Sequence, residues 1–170
     1  VECIGDLTQN RHVGILATSG TIKSESYLLE IEKLFPDVTV TGEACPMWVP
    51  LVENNEYDSE GADYFVQKHI RQLLAKDPDI DTLILGCTHY PLLIEKIRQF
   101  TPSHIRIVPQ GEYVAQSLQN YFRRHPEMDN RCTKEGTCRF LTTESETKFE
   151  ESASIFLQQE DIHVERIILE

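Results

Sequence analysis

Residues 81–91 read Asp-Thr-Leu-Ile-Leu-Gly-Cys-Thr-His-Tyr-Pro. Four apolar or β-branched residues in an unbroken run, closed by Gly86, describe a short strand covered on both faces. Gly86 allows a tight turn, and Pro91 is tolerated in the first turn of a helix expected over residues 91–100. The same grammar recurs upstream. Residues 12–18 (HVGILAT) form a second apolar run ending in Ser19-Gly20-Thr21. A helical spacing of Ile22, Tyr27, Leu28, Ile31, Leu34 and Phe35 follows, so one helix is expected over 21–35, capped by Thr21 or Ser24 and stopped by Pro36-Asp37. Further strands are expected at 38–41, 105–108, 139–142 and 163–169. Helices are expected at 61–75 (Tyr64, Phe65, Ile70, Leu73 and Leu74 inward), 112–124 and 147–159. Residues 45–53 (CPMWVPLVE) read as a loop entering a short helix, and 125–138 as a polar, mobile excursion. Strands alternate with helices throughout, which predicts an α/β fold with a mostly parallel sheet flanked by helices.

The composition fits that class. The chain has 170 residues, of which 40% are hydrophobic and 26% charged, enough for a sizeable core. The net charge of −12 argues against a nucleic-acid partner, since phosphate binding needs Lys and Arg, and against an anionic membrane surface. No apolar run approaches the roughly 18 residues of a spanning helix, and no signal-peptide pattern opens the chain. The opening VECIGDLTQNRHVGILAT reads as the interior of a longer protein. Five cysteines (Cys3, Cys45, Cys87, Cys132, Cys138) with no CxxC pair point to reduced thiols in the cytoplasm rather than a disulfide scaffold. Cys132 and Cys138 have a poor spacing for a zinc knuckle, and no metal site is expected.

In parallel sheets ligands sit beyond the carboxyl ends of the strands, so chemistry is sought there. After residues 81–86 come Cys87, Thr88 and His89. A thiol at a strand-to-helix junction meets unpaired N–H groups that favour its anionic form, and His89 could hold or relay a proton. The plainer alternative is a buried structural thiol with a core histidine. After residues 12–18, the turn Ser19-Gly20-Thr21 could bind a carboxylate or a phosphate, or simply cap the helix. Glu53 closes CPMWVPLVE as a carboxylate that is either solvated or in the site.

Three segments, ILATSGTIKSESY, ACPMWVPLVE and LILGCTHYPLL, together resemble the second half of glutamate racemases of the Asp/Glu racemase superfamily, with GCTH followed by Tyr-Pro-Leu the most specific. The resemblance covers residues 12–112 and continues more weakly through VPQGEYVAQSL and IHVERIIL. It implies a cofactor-independent racemase that interconverts L- and D-glutamate between two catalytic cysteines, one from each of two α/β domains, and supplies D-glutamate for peptidoglycan. It implies Cys87 as the cysteine of the second domain, His89 as its assistant, Thr18, Thr21 and Thr88 as substrate contacts and Glu53 as an acidic residue near the site. A homodimer, and a cell-wall precursor as activator in some relatives, are implied as well. Relatives acting on aspartate usually carry Glu at the position of His89, so His89 favours glutamate. The Asp-Ser-Gly and Cys-Asn-Thr motifs of the family's first half are absent from this sequence, and neither Cys3 nor Cys45 replaces the second by motif. The expected division is therefore residues 1–11 as an inter-domain segment, 12–104 as the α/β domain with the second catalytic cysteine, and 105–170 as a returning segment of the other domain, with no racemisation by the chain alone. Outside this chemistry, the rival readings are a non-catalytic binding module and a thiol or metal domain built on Cys132 and Cys138.

Overall fold

The computed structural model describes residues 4–157 and 159–169. Cys3 and the start of the segment 1–11 lie outside the described residues, as does Gln158 within the helix expected over 147–159. The elements run α1 (Ile4–Leu7), β1 (His12–Ala17), α2 (Ser19–Lys23), α3 (Ser26–Leu34), β2 (Thr39–Ala44), α4 (Trp48–Glu53), α5 (Glu60–Lys76) and β3 (Thr82–Leu85). A 3-10 turn (Tyr90–Leu93), α6 (Ile94–Phe100), β4 (Arg106–Pro109), α7 (Gln110–Arg124), α8 (Pro126–Asp129), β5 (Phe140–Thr142), α9 (Glu146–Leu157) and β6 (Val164–Arg166) follow. No described helix is long and apolar enough to cross a membrane.

Two compact units divide after Leu118. The first contains a four-stranded sheet in the order β2-β1-β3-β4, with every neighbouring pair parallel. The α/β class with a parallel sheet read from the sequence is the architecture present. β4 pairs with β3 from Thr82↔Arg106 to Leu85↔Pro109, so residues 106–109 belong to this sheet.

The central strands are buried on both faces. Val13, Ile15, Ala17 and Ile84 pack with Ile4 and Ile31, and with the flanking Ile22, Tyr27, Phe35, Val38 and Val40. The alternate residues turn to α5: a side chain at Gly14 would meet Leu73, Ile80 and Leu83. On α5 the buried positions are Ala62, Val66, His69, Ile70 and Leu73, one stripe at helical spacing. Tyr64, expected inward, is instead exposed, because it falls off that stripe, on which Val66 and His69 stand. The buried His69 bonds Glu43 at 2.8 Å, and Lys76 completes the ion group at 2.6 Å.

The single helix expected over 21–35 is two. Thr18, not Thr21 or Ser24, caps α2, accepting the N–H of Thr21 on its hydroxyl at 3.3 Å. Ser24 donates its hydroxyl back to the carbonyl of Thr21 at 2.9 Å, and Glu25 takes a left-handed conformation at φ 52°. A hydroxyl bonded to the local backbone competes with helix propagation. The helix expected over 91–100 likewise starts as a 3-10 turn before α6.

In the second unit β5 and β6 pair in parallel, Phe140↔Val164 to Thr142↔Arg166, and α9 runs beside β6. Glu150 and Glu146 of α9 accept the N–H groups of Val164 and Arg166 at 3.1 and 2.8 Å. The segment 125–138 is not wholly irregular. It holds the helical turn α8, and Lys134 donates to Asp129.

At the amino edge of the first sheet, His12 Nδ1 lies 2.9 Å from Asp77, and Thr41 donates to the same carboxylate at 3.3 Å. The hydrogen bond to Asp77 raises His12 above its ordinary 6.5 despite some burial. Burial pushes Asp77 up, but the bonds from His12, the Asp79 N–H and Thr41 outweigh it and hold the carboxyl below its ordinary 3.8. A raised histidine contributes stability that is full below pH 6.5 and lost as pH rises through its folded value. A depressed carboxyl contributes stability that is present above pH 3.8 and lost as pH falls through its folded value. The pair is therefore expected to stabilise most between those limits. Tm measured against pH should fall less steeply above pH 6.5 in His12→Gln than in the unaltered chain; parallel curves would contradict this.

Candidate functional site

The carboxyl ends of β2, β1, β3 and β4 lie side by side. β1 runs into Thr18, β2 into Cys45, β3 into Gly86-Cys87 and β4 into Gln110. Gly86 donates its N–H to the Leu16 carbonyl at 2.8 Å, and Cys45 donates to Ala17 at 2.8 Å. Leu16 pairs with Leu85, so Thr18 and Cys87 each stand two residues beyond that last pair. A Cβ at Gly86 would stand 3.0 Å from Ala17 Cβ, 3.3 Å from the Leu16 carbonyl and 3.4 Å from the Tyr27 ring. The turn that presents Cys87 thus needs glycine for close approach, not for a positive φ.

Cys87 is half-buried, with Sγ 3.8 Å from Nδ1 of His89. On the far side of the ring Nε2 lies 3.4 Å from a carboxylate oxygen of Glu53. A proton on Nε2 shared with Glu53 leaves the Nδ1 lone pair facing the thiol. Cys87, His89 and Glu53 therefore form a chain able to move a proton between sulfur and solvent. The two threonines are brought together: Thr18 Oγ1 and Thr21 Oγ1 are 2.9 Å apart. Thr88 is exposed on the same turn as Cys87.

Cys45 differs from Cys87 in every respect. It is fully buried, its thiol points back to the Glu43 carbonyl, and burial followed by the Glu43 charge pushes its pKa far up. It is a neutral packing thiol. Its carbonyl accepts from the Tyr90 hydroxyl at 3.3 Å, and burial pushes that hydroxyl's pKa far up as well. Tyr90 sits edge-on to Trp48, ring centroids 4.8 Å apart at 61°. Trp48 opens the helix that Glu53 closes, and Tyr90 follows His89, so this aromatic contact fixes the two elements that bring Glu53 to His89.

Tyr27 and Gln110 were not singled out from the sequence for the site. Gln110 donates to the Leu85 carbonyl at 2.8 Å and to the Tyr27 hydroxyl. The signal for Gln110 was available, since it is the first residue beyond a parallel strand.

His12, Asp77 and Asp79 bring three potential metal-ligand atoms within 4.8 Å of one another at the opposite edge. The hydrogen bonds within and around Asp77 already account for their arrangement. Cys132 and Cys138 are exposed and belong to no such group among the described residues.

The parallel sheet thus presents a half-buried thiol, an imidazole and a carboxylate in succession beyond its strand ends. The family model for Asp/Glu/Hydantoin racemase matches residues 5–118, and the chain belongs to that family. It is 38% identical over 165 residues to a glutamate racemase of Streptococcus agalactiae, covering 95% of this chain and 60% of that protein. A glutamate racemase isoform from Bacillus anthracis superposes with a TM-score of 0.84 at 30% identity, over 96% of this chain and 60% of that one. A glutamate racemase of Francisella tularensis, solved in complex with D-glutamate, superposes at 0.83 with 26% identity, over 98% and 61%. The chain spans about 60% of the length of the relatives it matches.

Proposed function

We propose that this chain supplies one of two thiol bases in a glutamate racemase that works without a cofactor. The observation that carries the reading is the chain from Cys87 through His89 to Glu53, beside the paired hydroxyls of Thr18 and Thr21, in a member of a racemase family. The Cα–H of an amino acid is weakly acidic. Inverting it without a cofactor requires a base on one face and an acid on the other. As a thiolate, Cys87 takes the Cα proton of D-glutamate, forming S–H and leaving the electron pair on carbon; a thiol on the opposite face then delivers a proton. In the reverse direction Cys87 is the donor. His89 and Glu53 return Cys87 to the protonation state each direction needs, and Thr18, Thr21 and Thr88 hold substrate carboxylate or amino groups by hydrogen bonds. Desolvated polar contacts stabilise the developing carbanion.

The partner thiol is assigned to a Cys-Asn-Thr segment that this sequence does not contain, in a second domain to which the residues after Leu118 return. The resemblance extends the reading to a cytoplasmic homodimer that supplies D-glutamate for peptidoglycan, with a cell-wall precursor as activator.

Racemisation of L-glutamate and L-aspartate, by the whole protein and by this chain in parallel, tests the assignment. Glutamate turnover by the whole protein and none by the chain alone is the expected result. D-glutamate formed by the isolated chain would remove the two-domain reading, and turnover of aspartate in preference to glutamate would move the substrate.

A further inference from the structure

We infer that Tyr27 and Gln110 form a polar clamp that positions Cys87, acting through the last carbonyl of β3 and the Gly86 turn. β4 ends at Pro109, the ladder partner of Leu85. The next side chain reaches back to the strand end: the Gln110 amide donates to the Leu85 carbonyl at 2.8 Å and, from the same nitrogen, to the Tyr27 hydroxyl. The Leu85 carbonyl can only accept, which fixes the amide with its nitrogen toward the turn. Tyr27 also closes on the turn directly, since its ring would stand 3.4 Å from a Cβ at Gly86. Leu85, Gly86 and Cys87 are consecutive, so the clamp seizes the turn two residues before the sulfur. Tyr27 comes from α3 and Gln110 from α7, 83 positions apart; two elements otherwise remote in sequence are tied to one strand end.

A half-buried amide with both N–H groups engaged is stiffer than an apolar filler, because moving the turn breaks two hydrogen bonds at once. The Cys87 to His89 contact, at 3.8 Å, is the interaction that such stiffness protects. Tyr27 and Gln110 are thus positioning residues: they touch neither the sulfur nor the imidazole.

The inference rests on Cys87 being the reacting thiol, and its test needs no amino-acid substrate. Alkylation of Cys87 by iodoacetamide is followed by peptide mass spectrometry, well below Tm and across a range of pH, with the exposed Cys132 as internal reference. Gln110→Leu and Tyr27→Phe are each expected to slow Cys87 alkylation near pH 7 about five- to tenfold, the scale of one lost hydrogen bond. Their pH profiles should move to higher pH while the Cys132 rate stays unchanged. The double variant should be no slower than the slower single variant, because either change alone opens the clamp. A merely structural role would lower Tm and leave the Cys87 profile in place, and that result, or faster alkylation, overturns the inference. Tyr27→Phe keeps the ring and removes one oxygen, so it remains a folded test where Gln110→Leu is not. If the profile moves but the whole protein racemises nothing, the clamp stands and the racemase reading falls; the reverse pairing sinks the clamp alone.

Discussion

Replacing Cys87 by serine is expected to lower glutamate racemisation by the whole protein about 10³-fold, within the 10²–10⁴ range that a positioned acid–base group contributes. Serine preserves the size of the side chain, so the Gly86 turn and its bond to Leu16 should survive. Its hydroxyl is a far weaker acid than a thiol and cannot serve as the base at neutral pH. The loss should have a direction. If Cys87 faces the Cα–H of D-glutamate, deuterium exchange from D₂O into D-glutamate should fall with racemisation. Exchange into L-glutamate, which begins at the opposite thiol, should fall less. Equal losses in both exchanges would show that Cys87 serves both faces or neither. His89→Ala should act in the same direction but more weakly, because it removes the relay behind the sulfur, not the sulfur itself.

The reading from sequence and the structure agree best where burial alone decides. The strands at residues 12–17 and 82–85 are unbroken apolar runs, and a parallel sheet covered on both faces is what such runs become. The placement of Thr18 and Cys87 was legible for the same reason: each follows a parallel strand, and the place beyond a strand's carboxyl end is set by topology. What the sequence hides depends on interactions between segments far apart. Nothing in Glu43 or His69 singly announces their buried contact, since Glu is ordinarily exposed. The pairing of Gln110 with Tyr27 requires knowing that α3 and α7 approach the same strand end. The break between α2 and α3 was missed for a local reason: one helical apolar period continues across it, while the hydroxyl of Ser24 and the left-handed Glu25 interrupt the backbone. Tyr64 was misplaced on residue type against the period, since it lies about half a turn from both Ala62 and Val66, on the face opposite the buried stripe. The domain boundary expected after residue 104 leaves β4 out of a sheet to which it is paired along its whole length; pairing partners are not written in the strand itself.

Trp48→Ala is expected to destabilise the first unit by about 3–5 kcal/mol, the cost of deleting a fully buried large aromatic. For a chain of this length that lowers Tm by about 10 °C or more, read by circular dichroism. Trp48 is fully buried, edge-on to Tyr90 and to His69, and its indole N–H donates to the Phe65 carbonyl at 3.4 Å. Removing the ring leaves a cavity between α4, α5 and the turn after β3. Trp48→Phe keeps an edge contact with Tyr90 and loses only the N–H and one ring, so its cost should be well under half. The two variants also separate stability from function. α4 has Trp48 at one end and Glu53 at the other, while Tyr90 adjoins His89, so loosening this contact should lengthen the 3.4 Å approach of Glu53 to His89. In the whole protein, at temperatures where the variant is still folded, kcat should then fall more than KM rises, since the relay acts on proton transfer and not on substrate binding. A Trp48→Ala protein that melts early yet keeps its kcat when cold would show that α4 is held to the turn by something else. Because Trp48 is the single tryptophan of the chain, its own fluorescence in the unaltered protein reports on the same contact. The emission should shift to the red at the temperature where the circular dichroism signal is lost, and an earlier shift would mean that α4 leaves the sheet before the rest unfolds.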